Sequence, residues 1–223
     1  MSARVLVLLL APTVRATRWG AFLAAAGVGL AIVVVPAATT TMLTAEDLVA
    51  LLRVAAVCGA LGAGFLLDDP AARSTAPMPT PRPVRHAARA GVILPAVAVW
   101  WALVLGVTVA GAEEGIGATL PIGGVTAEAA ALGAVALMVA AVRLRGSRAA
   151  GVRADGGVAA FPALLVLVMA ATVLPRGLAL FVSPDSPEWT GAHGRWVVLL
   201  AVALAGSFWA SVEPTRPLRT PFR

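Results

Sequence analysis

The feature that most constrains this chain is a series of apolar runs, each about long enough to cross a bilayer, separated by short polar or charged islands. A hydrocarbon core of ~30 Å takes about twenty residues at 1.5 Å per residue in a helix. Runs of this length lie at about 20–38, 48–67, 90–110, 127–142, 158–174 and 196–212, the fourth being short and alanine-rich. The longest interruption is 66–88, LLDDPAARSTAPMPTPRPVRHAA. It opens on Asp68 and Asp69, passes through Pro70, Pro77, Pro79, Pro81 and Pro83, and closes on Arg82, Arg85, His86 and, just beyond, Arg89. Charged, proline-rich backbone cannot lie in hydrocarbon, where its polar groups would go unsatisfied, so this stretch belongs to an aqueous face. The expected fold class is all-α: a polytopic membrane protein with six transmembrane helices.

Composition supports that class and narrows the chemistry. Hydrophobic residues make up 60% of the chain, and the mean hydropathy of +0.91 is far above that of a soluble domain. The net charge of +6 comes without a basic groove interleaved with aromatics, so it does not argue for nucleic acid. There is no Lys and no Tyr, which excludes a P-loop nucleotide site and Schiff-base chemistry in this chain. Cys58 stands alone in an apolar run and reads as packing. His86 and His193 fall in loops on opposite faces, which excludes a shared metal, and no metal site is expected. No carboxylate pair, histidine cluster or nucleophile triad suggests catalysis, so an enzyme is not expected.

Arginine placement gives the orientation. With the N-terminus inside, the inner segments hold fourteen of the seventeen arginines. These are Arg4, Arg15 and Arg18; Arg73, Arg82, Arg85 and Arg89; Arg143, Arg145, Arg148 and Arg153; and Arg216, Arg219 and Arg223. The outer segments hold Arg176 and Arg195, and acids such as Glu113 and Glu114 collect on that side. The positive-inside rule then places both termini in the cytoplasm, in a cell membrane. Residues 1–19 read either as a signal peptide or as an amphipathic segment lying in the interface. Arginines rather than a small-x-small cleavage site follow the apolar stretch, which favours the second. Residues 213–223 form a cytoplasmic tail.

Several residues stand out. Arg53 is the one cation placed inside a crossing, and Glu128 begins the fourth. Arg53 can snorkel outward, pair with Glu46 or Asp47, or face the bundle and pair with Glu128, since ionisable groups in membranes find partners or line a path. Trp100 and Trp101 lie near mid-depth, where they can line a substrate path or meet lipid. Ala21, Ala25 and Gly29, and then Ala60 and Gly64, give small faces that let helices approach. Pro95 is expected to kink the third crossing.

Over its whole length the chain resembles the permease subunit of type-2 ABC exporters. The basic interfacial start, the six crossings, the long first cytoplasmic loop and the hydrophobic segment 176–182 before the last crossing follow the order of that family's elbow helix, crossings, coupling loop and partly re-entrant segment. The resemblance implies that Asp68, Asp69, Pro70, Arg73, Ser74 and Thr75 contact a separate cytosolic ABC ATPase. Asp68 and Asp69 match the family's acids, Ser74 and Thr75 its hydroxyl-bearing turn, and Pro79 or Pro81 its later proline. The glutamate usual after that turn is missing, and the prolines leave room for only a very short coupling helix. Equally, Asp68, Asp69 and Pro70 fit an ordinary helix ending. The resemblance further implies a second permease copy or a homologous permease, and ATP and Mg bound by the partner ATPase, with no cofactor in this chain. The alternative is a non-transporting membrane scaffold, an assembly or immunity protein.

Overall fold

The computed structural model describes residues 14–15, 17, 19–39, 43–67, 82–113, 115–149 and 156–212, with the side chains of 82–88, 148–149 and 176 excluded. Among the described residues the fold is entirely helical. The helices are α1 (Trp19–Ala38), α2 (Ala45–Leu66), α3 (Arg82–Gly111), the single turn α4 (Ile116–Thr119), α5 (Ile122–Ala149), α6 (Gly156–Val173) and α7 (Trp189–Ser211). Six of them, all but α4, are long and apolar enough to cross a membrane. The chain is a polytopic all-α membrane protein. The segment expected to lie in the interface falls mostly outside the described residues, as does the tail.

Local chemistry sets the ends. Thr44 and Asp47 form a reciprocal capping box at the start of α2: Asp47 N–H donates to Thr44 Oγ1 (3.2 Å) and Thr44 N–H to Asp47 Oδ2 (3.0 Å). Pro121 starts α5, its carbonyl accepting from Val125 N–H at 3.1 Å; proline suits a helix start because an N–H there has no partner within the helix. Arg89 donates to the Leu67 carbonyl at 2.9 Å and so ties the start of α3's apolar run to the end of α2.

Three crossings differ from the bounds the sequence suggests. The third helix, α3, starts at Arg82 rather than 90, so Arg82, Arg85 and His86 lie on helix and not in a loop. The fourth runs over Ile122–Ala149 rather than 127–142, so Arg143, Arg145 and Arg148 lie on helix and not in a basic loop. The polar end has a partner: Arg145 donates to the carbonyls of Trp209 and Val212 and stacks its guanidinium 4.1 Å from the Trp209 ring, capping α7 from a neighbouring helix. Glu128 therefore sits nearly two turns inside α5 rather than at its start. The sixth crossing begins at Trp189, seven residues before Trp196, and takes in His193 and Arg195. His193 is thus a helical residue, not a loop residue. Its glycine-rich surroundings read as turn, but His193 and Arg195 both reach backbone carbonyls, those of Trp189, Gly177 and Ala179.

The helices α2 and α5 form the centre. α2 packs on α1, α3, α5 and α6, and α5 on α2, α6 and α7. Over half of α2's membrane window is buried (56%), against 11% for α7. Small residues make the contacts close. A Cβ added at Gly59 would lie 2.1 Å from the Trp100 ring, and one at Gly157 would lie 2.3 Å from Phe65. Without a hydrophobic drive between helices in lipid, such close packing supplies much of the attraction.

Candidate functional site

The unusual chemistry gathers at the end of the bundle where α2, α5 and α7 begin. Arg53, two turns into α2, points inward. Its Nε donates to Glu128 Oε2 at 2.7 Å and its Nη2 to Glu128 Oε1 at 2.9 Å, a bidentate pair. The Arg53 side chain is 15% exposed and that of Glu128 is 1% exposed. Glu46 and Asp47, the other acids within reach along α2, are exposed, and Asp47 is engaged in the cap.

The guanidinium is enclosed by more than the carboxylate. Nη2 also donates to the Val182 carbonyl at 2.8 Å, and Cζ lies 5.0 Å from the Phe181 ring and 5.8 Å from Trp189. These are cation–π distances. His193, one turn along α7, stacks on Trp189 with ring centroids 4.1 Å apart, and its Nδ1 meets the Trp189 carbonyl at 2.9 Å. Its Nε2 is buried 3.5 Å from Glu128 Oε1 and has no hydrogen-bond partner among the described residues. Gly124, one turn before Glu128, makes the room: a Cβ there would fall 2.5 Å from His193 Nε2 and 2.9 Å from the Trp189 ring.

The same region holds the hydrophobic segment that precedes α7. It makes a 3-10 turn at Arg176–Leu178 and then continues with Leu180 and Val182 buried. Outside regular helix its carbonyls need donors, and side chains supply them. Arg195 donates to Gly177 (2.9 Å) and Ala179 (2.6 Å), Trp196 Nε1 to Leu180 (2.9 Å) and Arg53 to Val182. Arg53 thereby joins three elements, α2, α5 and the segment.

The residues singled out in the sequence fare differently. Arg53 and Glu128 are brought together. Trp100 and Trp101 are both buried in helix packing. Trp100 lies across Gly29 and Gly59 and donates to the Ala26 carbonyl at 2.9 Å; Trp101 donates to Thr126 Oγ1 at 3.2 Å. Asp68, Asp69, Pro70, Arg73, Ser74 and Thr75 lie outside the described residues. Phe181, Val182, Trp189 and His193 join the site without having been singled out for it. The i, i+4 spacing of Trp189 with His193, and of Gly124 with Glu128, is the signal that would have found them, and it has meaning only once both stretches are helical. Among the described residues no three His, Cys, Asp or Glu side chains come together to hold a metal ion.

These features define a multi-pass membrane protein with a charged cluster buried at one end of its bundle. No family model, curated protein or solved structure matches the chain.

Proposed function

We propose that the chain is the permease subunit of an ATP-driven ABC exporter. It sits in the cell membrane with both termini cytoplasmic, forms the translocation path with a second permease, and couples through loop 68–89 to a separate cytosolic ATPase that carries ATP and Mg. The observation that carries this reading is the segment 175–183. It is a mostly apolar stretch, irregular apart from one 3-10 turn, placed just before the last crossing and fixed to the bundle by Arg53, Arg195 and Trp196. Irregular backbone beside membrane helices is kept where it is buried in protein or borders a path. The six apolar helices and the arginine bias of the connections agree with it.

The test is affinity purification in mild detergent from cells that express the neighbouring reading frames at native level. The expected product is a dimer of permeases, homo or hetero, that retains two copies of a Walker A ATPase. A stable lone monomer that never retains an ATPase removes this reading and favours a membrane scaffold.

A further inference from the structure

We propose that His193 is a proton-binding site, and that the bound proton fastens the first turn of α7 to Glu128 of α5. The argument starts from the tautomer. A carbonyl oxygen only accepts, so the 2.9 Å contact between His193 Nδ1 and the Trp189 carbonyl requires the hydrogen on Nδ1. In the neutral ring Nε2 then presents a lone pair. That lone pair is buried and faces Glu128 Oε1 at 3.5 Å, one acceptor against another. A buried polar atom without a partner is a costly arrangement. A proton taken from the aqueous phase onto Nε2 replaces this acceptor–acceptor contact with an ion pair, which a small closing of the gap makes a charge-assisted N–H to carboxylate hydrogen bond.

The surroundings select a proton over a metal ion. No third His, Cys, Asp or Glu joins Glu128 and His193 among the described residues, and a divalent ion would bring twice a proton's charge beside Arg53, which already binds both oxygens of Glu128. The charged groups facing His193 among the described residues are Glu128 from α5 and, behind it, Arg53 from α2. On α7 itself, Arg195 is turned to the Gly177 and Ala179 carbonyls, and Glu188 stands at the helix start. α3, which also touches α7, carries its one described ionisable side chain, Arg89, at the far end. Glu128 is the carboxylate that both cations share, and Trp189 touches both. Protonation therefore completes an Arg53–Glu128–His193 string that also holds Val182 and the segment before α7. The protonated ring closes this end of the bundle and the neutral ring loosens it. The inference rests on this geometry alone and not on transport.

Amide hydrogen exchange of the full chain in lipid nanodiscs tests it, read on peptides covering 183–195. Wild type is compared with His193→Phe, which keeps a ring over Trp189 and cannot take up a proton, at matched pH so that the intrinsic exchange rates cancel. At about pH 5.5 wild type is expected to exchange roughly fivefold more slowly than His193→Phe, and at about pH 7.5 the two should agree. His193→Gln, whose amide N–H can donate to Glu128 without taking up a proton, should show no pH-dependent change in protection. Equal exchange of wild type and both variants at both pH values overturns the proposal. So does a slowing in acid that persists in His193→Phe.

Discussion

Arg53 and Glu128 pose the energetic question at the scale of single residues. Two charges taken out of water lose several kcal/mol of solvation each, and the bidentate geometry with the added Val182 carbonyl offsets much of that loss. The pair therefore adds little net stability, but either member alone is a buried charge without its counterpart. Arg53→Ala and Glu128→Ala should each destabilise the protein by about 3–5 kcal/mol, and the double variant should lose clearly less than the sum. Thermal unfolding in detergent measures the cycle, and strict additivity would mean the two do not interact. The sequence makes this pair legible because a charge inside an apolar run must be answered somewhere. His193 was not legible. Its neighbours Gly191 and Gly194 resemble a turn, and only the bonds to Trp189 and from Arg195 make helix the better state there.

At the scale of elements, apolar length gave the existence of all six long helices and misplaced the ends of three. Hydropathy sees where oil stops, whereas a helix stops where its backbone finds other partners. Arg145, polar and expected in a loop, extends α5 because it reaches the last carbonyls of α7. Small residues were legible as packing faces but not by partner, since only the fold sets Trp100 over Gly59. That contact makes a sharp prediction. An alanine methyl at Gly59 meets the rigid indole at 2.1 Å, and the ring cannot swing away without losing its bond to Ala26. Gly59→Ala should cost about 2 kcal/mol. Trp100→Leu opens space above Gly59, so Gly59→Ala combined with Trp100→Leu should lose less than the two separately, read as a shift in Tm. Equal losses with no coupling would place the two residues out of contact.

At the scale of the whole molecule, the charge distribution and the fold point the same way. The described arginines Arg89, Arg143 and Arg145 lie at one end of the bundle, and Arg53, Glu128 and His193 near the other. The 66–88 stretch joins α2 to α3 at the arginine-rich end, its last residues, from Arg82 on, being the first turns of α3. Its sequence, acids first and then prolines and arginines, suits an aqueous surface whose charges meet a partner rather than the membrane fold. If it couples to an ATPase, Asp68→Ala combined with Asp69→Ala, or Arg73→Glu, should leave expression, insertion and Tm close to wild type. Charged side chains of an aqueous stretch are not needed to bury apolar surface, so the bundle has no reason to weaken. The same variants should retain less ATPase on purification and lose transport, because opposed charges at such a surface set register and partner choice. The opposing account makes Asp68 and Asp69 a simple helix ending, whose loss costs a few tenths of a kcal/mol and nothing in coupling. ATP hydrolysis in reconstituted vesicles at matched protein level separates the two. Variants that hydrolyse ATP and move substrate like wild type would reduce this stretch to a connection between α2 and α3.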